Sequence, residues 1–76
     1  MNKKKLLIFG LGQIAELAFF YFNSDTEYSV EAFTVDESYM NSNEFCGLPV
    51  VAFEEIQNKF SPKEYVMFVA LSYSEI

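Results

Sequence analysis

Hydrophobic residues along the chain form short runs that switch between continuous and helical patterns. Residues 6–9 are apolar without alternation, which is typical of a parallel strand covered on both faces. From Ile14 onward the apolar positions recur at helical spacing, and turn-forming side chains at 23–25 end the pattern. The pattern predicts a helix that packs on a sheet through one stripe: Ile14, Leu17, Ala18, Tyr21 and Phe22, widened by Ala15 and Phe19.

The rest of the chain continues this alternation. Residues 28–35 alternate between two faces, as a strand does, and residues 50–52 form a short strand behind Pro49. Helical spacing returns over residues 53–60, and residues 65–71 are the most continuous apolar run in the chain. We expect this last run to be a central parallel strand next to the first. The polar residues between the second and third strands, 39–45, have no period and indicate a mobile surface loop.

Strands that alternate with helices predict an α/β fold with a small, Rossmann-like parallel sheet. Right-handed crossovers give the strand order 3-2-1-4, with a crevice between the carboxyl ends of the first and fourth strands. Such a sheet normally continues with a covering helix, and the sequence reaches Ile76 before one begins. We therefore expect residues 1–76 to be one domain, truncated before the next covering helix and forming the front part of a longer polypeptide.

The first strand and the first helix are joined by a G-x-G-x-x-A turn. Gly10 allows the backbone to turn, Gly12 has no Cβ to block a phosphate, and Ala15 allows close packing of helix and strand. Unpaired amides at a helix start favour an anion. The amides concerned are those of Leu11, Gly12, Gln13 and Ile14. The turn predicts a nucleotide or phosphate site; the alternative is a turn that joins two elements and binds nothing.

Two further segments follow strands whose ends share one edge of the predicted sheet. Asp36 comes about twenty residues after the glycine turn, where a dinucleotide-binding fold places a carboxylate on ribose hydroxyls. Alternatively, its side chain starts a turn by bonding to its own backbone. Ser72, Tyr73 and Ser74 follow the last strand and offer hydroxyls to a phosphate, sugar or base, although Ser74 is equally suited to cap a following helix.

Composition narrows the possible functions. The net charge is −6 without His or Arg, which argues against nucleic acid as a partner. A single cysteine, Cys46, excludes an internal disulfide and fits a reducing cytoplasm, and without histidine it is a poor catalytic thiol. The apolar run after the lysines at 3–5 is too short for a membrane span or a signal peptide. Glu54 and Glu55 are interpreted as helix-start charges, so no catalytic residue and no metal site is predicted.

The chain is rich in aromatic residues for its length. It has nine Phe and five Tyr among 76 residues. A domain of this size buries only about 60% of its unfolded surface. We expect part of the aromatic surface to face a second domain or another subunit, the alternative being that all of it is core.

Four segments together carry a resemblance to a known family. They are residues 5–12 (KLLIFGLG), 32–36 (AFTVD), 47–51 (GLPVV) and 68–72 (FVALS). In this pattern the chain resembles the N-terminal domain of the PglD/NeuD-like sugar O- or N-acyltransferases. The resemblance implies a Rossmann-like domain that binds the nucleotide-sugar acceptor, of UDP or CMP type, or regulates the enzyme.

The resemblance also implies what would lie outside these residues. In the family a β-helix of hexapeptide repeats follows, forms a homotrimer, binds acetyl-CoA as co-substrate and carries the catalytic His. No cofactor is implied for residues 1–76 themselves. By position, Gly10 and Gly12 match the phosphate turn, Asp36 the acidic residue after the second strand, and residues 70–74 the segment lining the same cleft.

Two other functions remain open from the residues. The same glycines and Asp36 would suit the NAD(P)-binding half of a dehydrogenase or epimerase. A Rossmann-like domain without a ligand, serving as a packing or regulatory surface, would account for the aromatic excess.

Overall fold

The computed structural model describes residues 4–70 and shows a mixed α/β arrangement. A five-stranded, mostly parallel sheet carries one long helix and one short helix. The elements in chain order are β1 (Lys4–Phe9), α1 (Gln13–Asp25), β2 (Tyr28–Val35), β3 (Glu44–Phe45), β4 (Leu48–Ala52), α2 (Ile56–Lys59) and β5 (Tyr65–Val69). Single 3-10 turns, Glu37–Tyr39 and Phe53–Glu55, follow β2 and β4.

The strands lie in the order β3-β4-β2-β1-β5. β1 pairs in parallel with β2 and β5, β2 pairs in parallel with β4, and β3 is antiparallel to β4. The predicted four-strand order 3-2-1-4 is not the observed order, because β3 adds a fifth strand at one edge. Among themselves the four parallel strands run β4-β2-β1-β5.

The additional strand comes from the segment predicted to be a mobile loop. Cys46 and Gly47 both have positive φ, 55° and 80°, which is the backbone of a two-residue hairpin turn. This turn folds Phe45 back beside Leu48 and creates an antiparallel pair. The loop prediction was wrong here because the Cys-Gly pair is not the usual Asn-Gly turn signal.

The helix α1 buries only part of the predicted stripe. Ala15 and Ala18 face the sheet with 0% and 8% exposure, and Phe19 and Phe22 pack beside them. Three members of the predicted stripe are instead largely exposed: Ile14 (41%), Leu17 (65%) and Tyr21 (58%). The buried positions 15, 18, 19 and 22 all belong to the predicted stripe, but its centre is shifted by one residue, because two alanines let the helix approach the sheet closely.

The α1 face of the sheet holds the larger core. Its centre is Phe33, which is fully buried and contacts the rings of Phe19 and Phe45. The remaining buried members are Leu6, Ile8, Ala15, Ala18, Val30, Val35 and Val50. A smaller cluster of Leu7, Ala32 and Ile56 lies on the opposite face, under α2.

A bulge in β2 interrupts the alternation predicted for residues 28–35. Leu6 pairs with Val30 but Leu7 pairs with Ala32, so Glu31 is an extra residue on that strand. As a result Val30 and Phe33 share one core, although simple alternation places them on opposite faces.

β5 lies next to β1, as predicted, but among the described strands it is not central. Within residues 4–70 it is the outermost strand on its side of the sheet, and Val66, Phe68 and Val69 are exposed. Although the sequence of β5 is continuously apolar, the described residues do not cover both of its faces. No helix within the described range is long and apolar enough to cross a bilayer.

Candidate functional site

The glycine turn lies where β1, β2 and β5 end together. The NH of Gly10 donates to the carbonyl oxygen of Thr34 (2.9 Å), and the NH of Ala70 donates to that of Phe9 (2.9 Å). Gly10 has a φ of +127°, and a Cβ placed on it would lie 2.8 Å from the carbonyl oxygen of Ala70. Only glycine fits this position, because both the backbone angle and the neighbouring strand exclude a side chain.

The helix α1 starts directly after this turn with several backbone donors that have no partner among residues 4–70. Gly12 is its N-cap residue, with φ −86° and ψ −164°, and makes no side-chain cap. Its carbonyl accepts the NH of Glu16 at 3.1 Å. Within residues 4–70, no acceptor bonds the NH groups of the four residues that precede or open the helix, which are Leu11, Gly12, Gln13 and Ile14. These donors sit at the positive end of the helix dipole, where an anion is favoured.

The space around these donors is open. A Cβ on Gly12 would have no atom within 4 Å. The side chains of Gln13 and Ile14 are exposed, while Leu11 packs against the core. Since no described side chain fills the space beside Gly12, the geometry leaves room for a ligand group.

Asp36 follows β2 at the same edge of the sheet. Its backbone oxygen accepts the NH of Tyr39 (2.9 Å), and its side chain makes no cap hydrogen bond. The alternative that its carboxylate holds its own turn therefore does not match the geometry. Within the described part of the chain this half-buried carboxylate has no hydrogen-bond or ion-pair partner.

An apolar cleft of about 250 Å³ adjoins Asp36, and its other lining residues are Phe9, Phe53, Met67 and Val69. The rings of Phe9 and Phe53 meet edge to face, with centroids 5.4 Å apart and planes at 83°. Met67 also packs against the smaller core cluster, which places the cleft on the face of the sheet opposite α1. An apolar slot with one carboxylate beside it can accept a flat ring that carries hydroxyl groups.

The sequence interpretation missed these four cleft residues because it treated them as strand or helix core. The signal that could have found them was position: Phe9, Phe53 and Val69 lie at or just after the carboxyl ends of parallel strands. Ligands of open α/β sheets bind outside these ends.

The buried hydroxyl of Thr34 lies on β2, beside Phe9 of β1. Thr34 pairs with Phe9 in the parallel register, so both side chains point to the cleft face of the sheet. Thr34 is fully buried, and its Oγ1 has no hydrogen-bond partner among the described residues. An unsatisfied buried hydroxyl is destabilising by about 1–3 kcal/mol.

Charge is distributed unevenly between the two ends of the strands. At the carboxyl end, Asp36 is joined by Glu37 and Glu54, which are linked by a hydrogen bond of 3.1 Å from the NH of Glu37 to Oε1 of Glu54. The described lysines lie at the opposite end: Lys4, Lys5, Lys59 and Lys63. An anion bound at the glycine turn would therefore be held by backbone NH groups, without help from a described lysine of the same chain.

The lysine end of the sheet has an open groove of its own. It has a volume of about 590 Å³ and is lined by Lys4, Lys5 and Lys63 among others. Lys4 forms an exposed ion pair with Glu27 (3.3 Å), and the Lys5 ammonium lies 5.4 Å from the centre of the Tyr65 ring. Because two of these lysines already have partners at the surface, the groove is a weaker ligand site than the carboxyl edge.

Cys46 is poorly suited to act as a nucleophile. Burial, and then the nearby Glu16 carboxylate, raise the pKa of its thiol. A thiol that holds its proton is inert near neutral pH. Within the described residues no group of His, Cys, Asp or Glu is arranged to hold a metal ion.

The predicted hydroxyl residues Ser72, Tyr73 and Ser74 lie outside the described residues. Of the predicted site residues, Gly10 to Ile14 and Asp36 therefore come together at one edge, joined through the bond from Gly10 to Thr34.

Comparisons of the chain with protein-family models, curated proteins and solved structures gave no match.

Proposed function

We propose that this chain is the Rossmann-like, nucleotide-sugar-binding or regulatory domain of an acetyl-CoA-dependent sugar O- or N-acyltransferase. One observation supports the proposal, which is that two features lie at the same edge of the described sheet. The first is a set of NH groups at the start of α1 that have no partner among residues 4–70. The second is an apolar cleft beside Asp36, whose carboxylate makes no hydrogen bond within the same residues. A nucleotide diphosphate needs both features, since it joins an anionic group to a flat base through a ribose.

Each part of the ligand then has a counterpart. The diphosphate accepts hydrogen bonds from the NH groups of residues 11–14, at the positive end of α1. The ribose hydroxyls donate to Asp36, and the base enters the apolar cleft that Phe9, Phe53, Met67 and Val69 line. The hydroxyls of residues 72–74 remain the predicted contacts for the sugar. The domain contributes positioning rather than bond making, because holding an acceptor near a thioester raises its effective concentration.

The acyl transfer itself would belong to other parts of the enzyme. In this proposal a β-helix domain supplies the catalytic His, the acetyl-CoA site and the trimer contacts, as the resemblance implies. The 76 residues themselves include no histidine to act as a general base.

A binding experiment tests the proposal directly. Isothermal titration calorimetry of the 76-residue chain with UDP-N-acetylglucosamine, a CMP-linked sugar, NAD and NADP should give heat with one of the first two. Asp36→Asn removes a charged acceptor and should weaken binding by about tenfold. Glu37→Gln, at the next position, is the matched control and should bind as the parent does.

The other outcomes identify the alternatives. If only NAD or NADP gives heat, and Asp36→Asn weakens that binding, the site belongs to a dinucleotide and the acyltransferase proposal is overturned. Absence of heat with all four compounds would favour a ligand-free interaction domain. The carboxylates at the site edge and the exposed side chains of α1 and β5 are the observations that favour that second candidate.

A further inference from the structure

The outer side of β5 has unpaired backbone groups. The NH of Ala70 donates to Phe9 on β1, and backbone groups alternate along a strand, so Val66 and Phe68 also direct theirs to β1. Tyr65, Met67 and Val69 then direct their NH and C=O groups away from the sheet. Within residues 4–70 no strand pairs with this side.

β5 has none of the features that normally protect an edge strand. Its sequence, YVMFV, contains no charged residue and no proline, and its register with β1 has no bulge. Edge strands of soluble proteins are usually blunted by one of these features or covered. The strand is therefore suited to pair with another strand.

An apolar surface of α1 lies beside this edge. Ile14, Leu17, Tyr21, Phe22 and Phe68 line an open groove of about 290 Å³ together with Ala18. Val66, on the same face of β5, and Phe20, on the same helix, are also exposed. A standard interface buries about 800 Å² per partner. The side chains of this groove and the backbone of β5 would both contribute to such an interface.

We propose that two copies of this chain associate through β5, which pairs with β5 of the second copy in antiparallel orientation about a twofold axis. Met67 of each copy then forms the central hydrogen-bonded pair, because its backbone groups point outward. On the α1 face Val66 lies opposite Phe68 of the other copy, and on the other face Tyr65 lies opposite Val69. The two sheets become continuous, and the two α1 grooves face each other across the axis.

Self-complementarity is the reason to assign a second copy rather than a different partner. All cross-strand pairs in this register are apolar, so no like charges meet although each chain carries −6. A twofold contact also closes on itself and leaves no further edge of β5 open.

Charge complementarity supports the antiparallel orientation. Antiparallel pairing places the lysine end of one copy beside the carboxyl end of the other. Lys63 of the second copy then lies at the same end of the joined sheet as Asp36, Glu37 and Glu54, where the described chain supplies no lysine. Opposite surface charges of this kind favour one orientation of a complex over another. The inference is argued from β5 and α1 and does not rest on the proposed ligand, although Met67 and Val69 of β5 also line the proposed cleft.

Sedimentation equilibrium of the 76-residue chain over a range of concentrations tests the dimer. We expect a reversible monomer–dimer equilibrium. Val66→Lys places two lysines in the apolar pairs and should weaken dimerisation by tenfold or more, a loss of at least about 1.4 kcal/mol. Tyr39→Lys changes an exposed aromatic residue remote from β5 and is the matched control, which should dimerise as the parent does.

Met67→Pro tests the backbone pairing itself. Its NH points away from β1, so the ladder within each copy keeps its hydrogen bonds while the central pair of the dimer is lost. Circular dichroism checks that each variant remains folded. If Met67→Pro does not fold, the test of the dimer rests on Val66→Lys. A chain that is monomeric at all concentrations would overturn the proposal. So would a dimer that Val66→Lys leaves intact.

Discussion

At the residue scale, the three glycines make different demands on the backbone. Gly12 has an ordinary negative φ and open space around it, and Gly47 has positive φ with open space. Gly10 combines positive φ with a carbonyl oxygen, that of Ala70, only 2.8 Å from the point where a Cβ would lie. The same residue type therefore serves as a helix cap, a hairpin turn and a close contact between strands.

Alanine substitution should separate these roles by the free energy of unfolding. We expect Gly12→Ala to lose less than about 1 kcal/mol, because only the N-cap preference changes. Gly47→Ala should lose about 1–2 kcal/mol through positive φ alone, and Gly10→Ala should lose the most because a clash is added. Urea denaturation of the three variants measures the order, and equal losses at Gly10 and Gly12 would contradict the described turn.

Two buried or half-buried threonines offer a second residue-scale prediction. Thr34 has an unpartnered Oγ1 within the described range, so Thr34→Val keeps the shape, removes the unsatisfied hydroxyl and should stabilise the fold by up to about 1 kcal/mol. Thr26 is the matched control, because its hydroxyl bonds to the carbonyl of Phe22 (2.6 Å) and accepts the NH of Tyr28 (3.0 Å).

Thr26→Val should destabilise the fold by about 1–2 kcal/mol, since both hydrogen bonds are lost. Thermal or urea unfolding of both variants gives the comparison. A Thr34→Val variant as destabilised as Thr26→Val would mean that the Thr34 hydroxyl has a partner after all.

At the element scale, α1 shows how packing chooses between two stripes of equal periodicity. Apolar residues occupy both the 14-17-18-21 and the 15-18-19-22 positions, so spacing alone does not separate them. The structure buries the stripe with two alanines. Small side chains allow close contact between helix and sheet, and the larger residues of the other stripe remain at the surface.

Substitutions on the two stripes should therefore differ in their effect on stability. Ala15→Leu adds volume at a site with 0% exposure and should destabilise the fold by about 1–3 kcal/mol. Leu17→Ala, at an exposed site, should change stability by less than about 0.5 kcal/mol. Urea denaturation at protein concentrations where the chain is monomeric provides the measurement. A larger loss of unfolding free energy for Leu17→Ala than for Ala15→Leu would indicate that Leu17 is buried, as the sequence pattern predicts.

The strand elements were predictable to the extent that their patterns were local. β1 and β2 follow from runs of apolar and β-branched residues, and the glycine turn between β1 and α1 follows from two glycines and a helical pattern. β3 was missed because its two residues pair only after the Cys46-Gly47 turn has formed. The bulge at Glu31 was missed because it depends on the register with β1.

At the scale of the whole molecule, the separation of charge along the strands has a measurable consequence. In the proposed antiparallel dimer Lys63 lies at the same end of the joined sheet as the acidic residues of the other copy, so Lys63→Glu should weaken dimerisation. Lys59→Glu, a change of the same charge on α2 and away from the β5 edge, should have a smaller effect.

Sedimentation equilibrium at low salt measures both variants. The difference between them should shrink as ionic strength rises, because salt screens charges separated by more than about 10 Å at 0.1 M. Equal effects of the two substitutions would indicate a response to net charge only, and would argue against the antiparallel orientation.

The sequence by itself determined the α/β class, the strand–turn–helix unit around Gly10 and Gly12, and the pairing of β5 with β1. These features depend on residue periodicity and on backbone angles that only glycine adopts easily, and both are local properties. The tertiary structure alone determined the buried stripe of α1, the added β3, the exposed position of β5 and the Phe9–Phe53 cleft beside Asp36. These depend on which surfaces meet, and contacts between residues distant in the chain are not encoded in any short stretch of it.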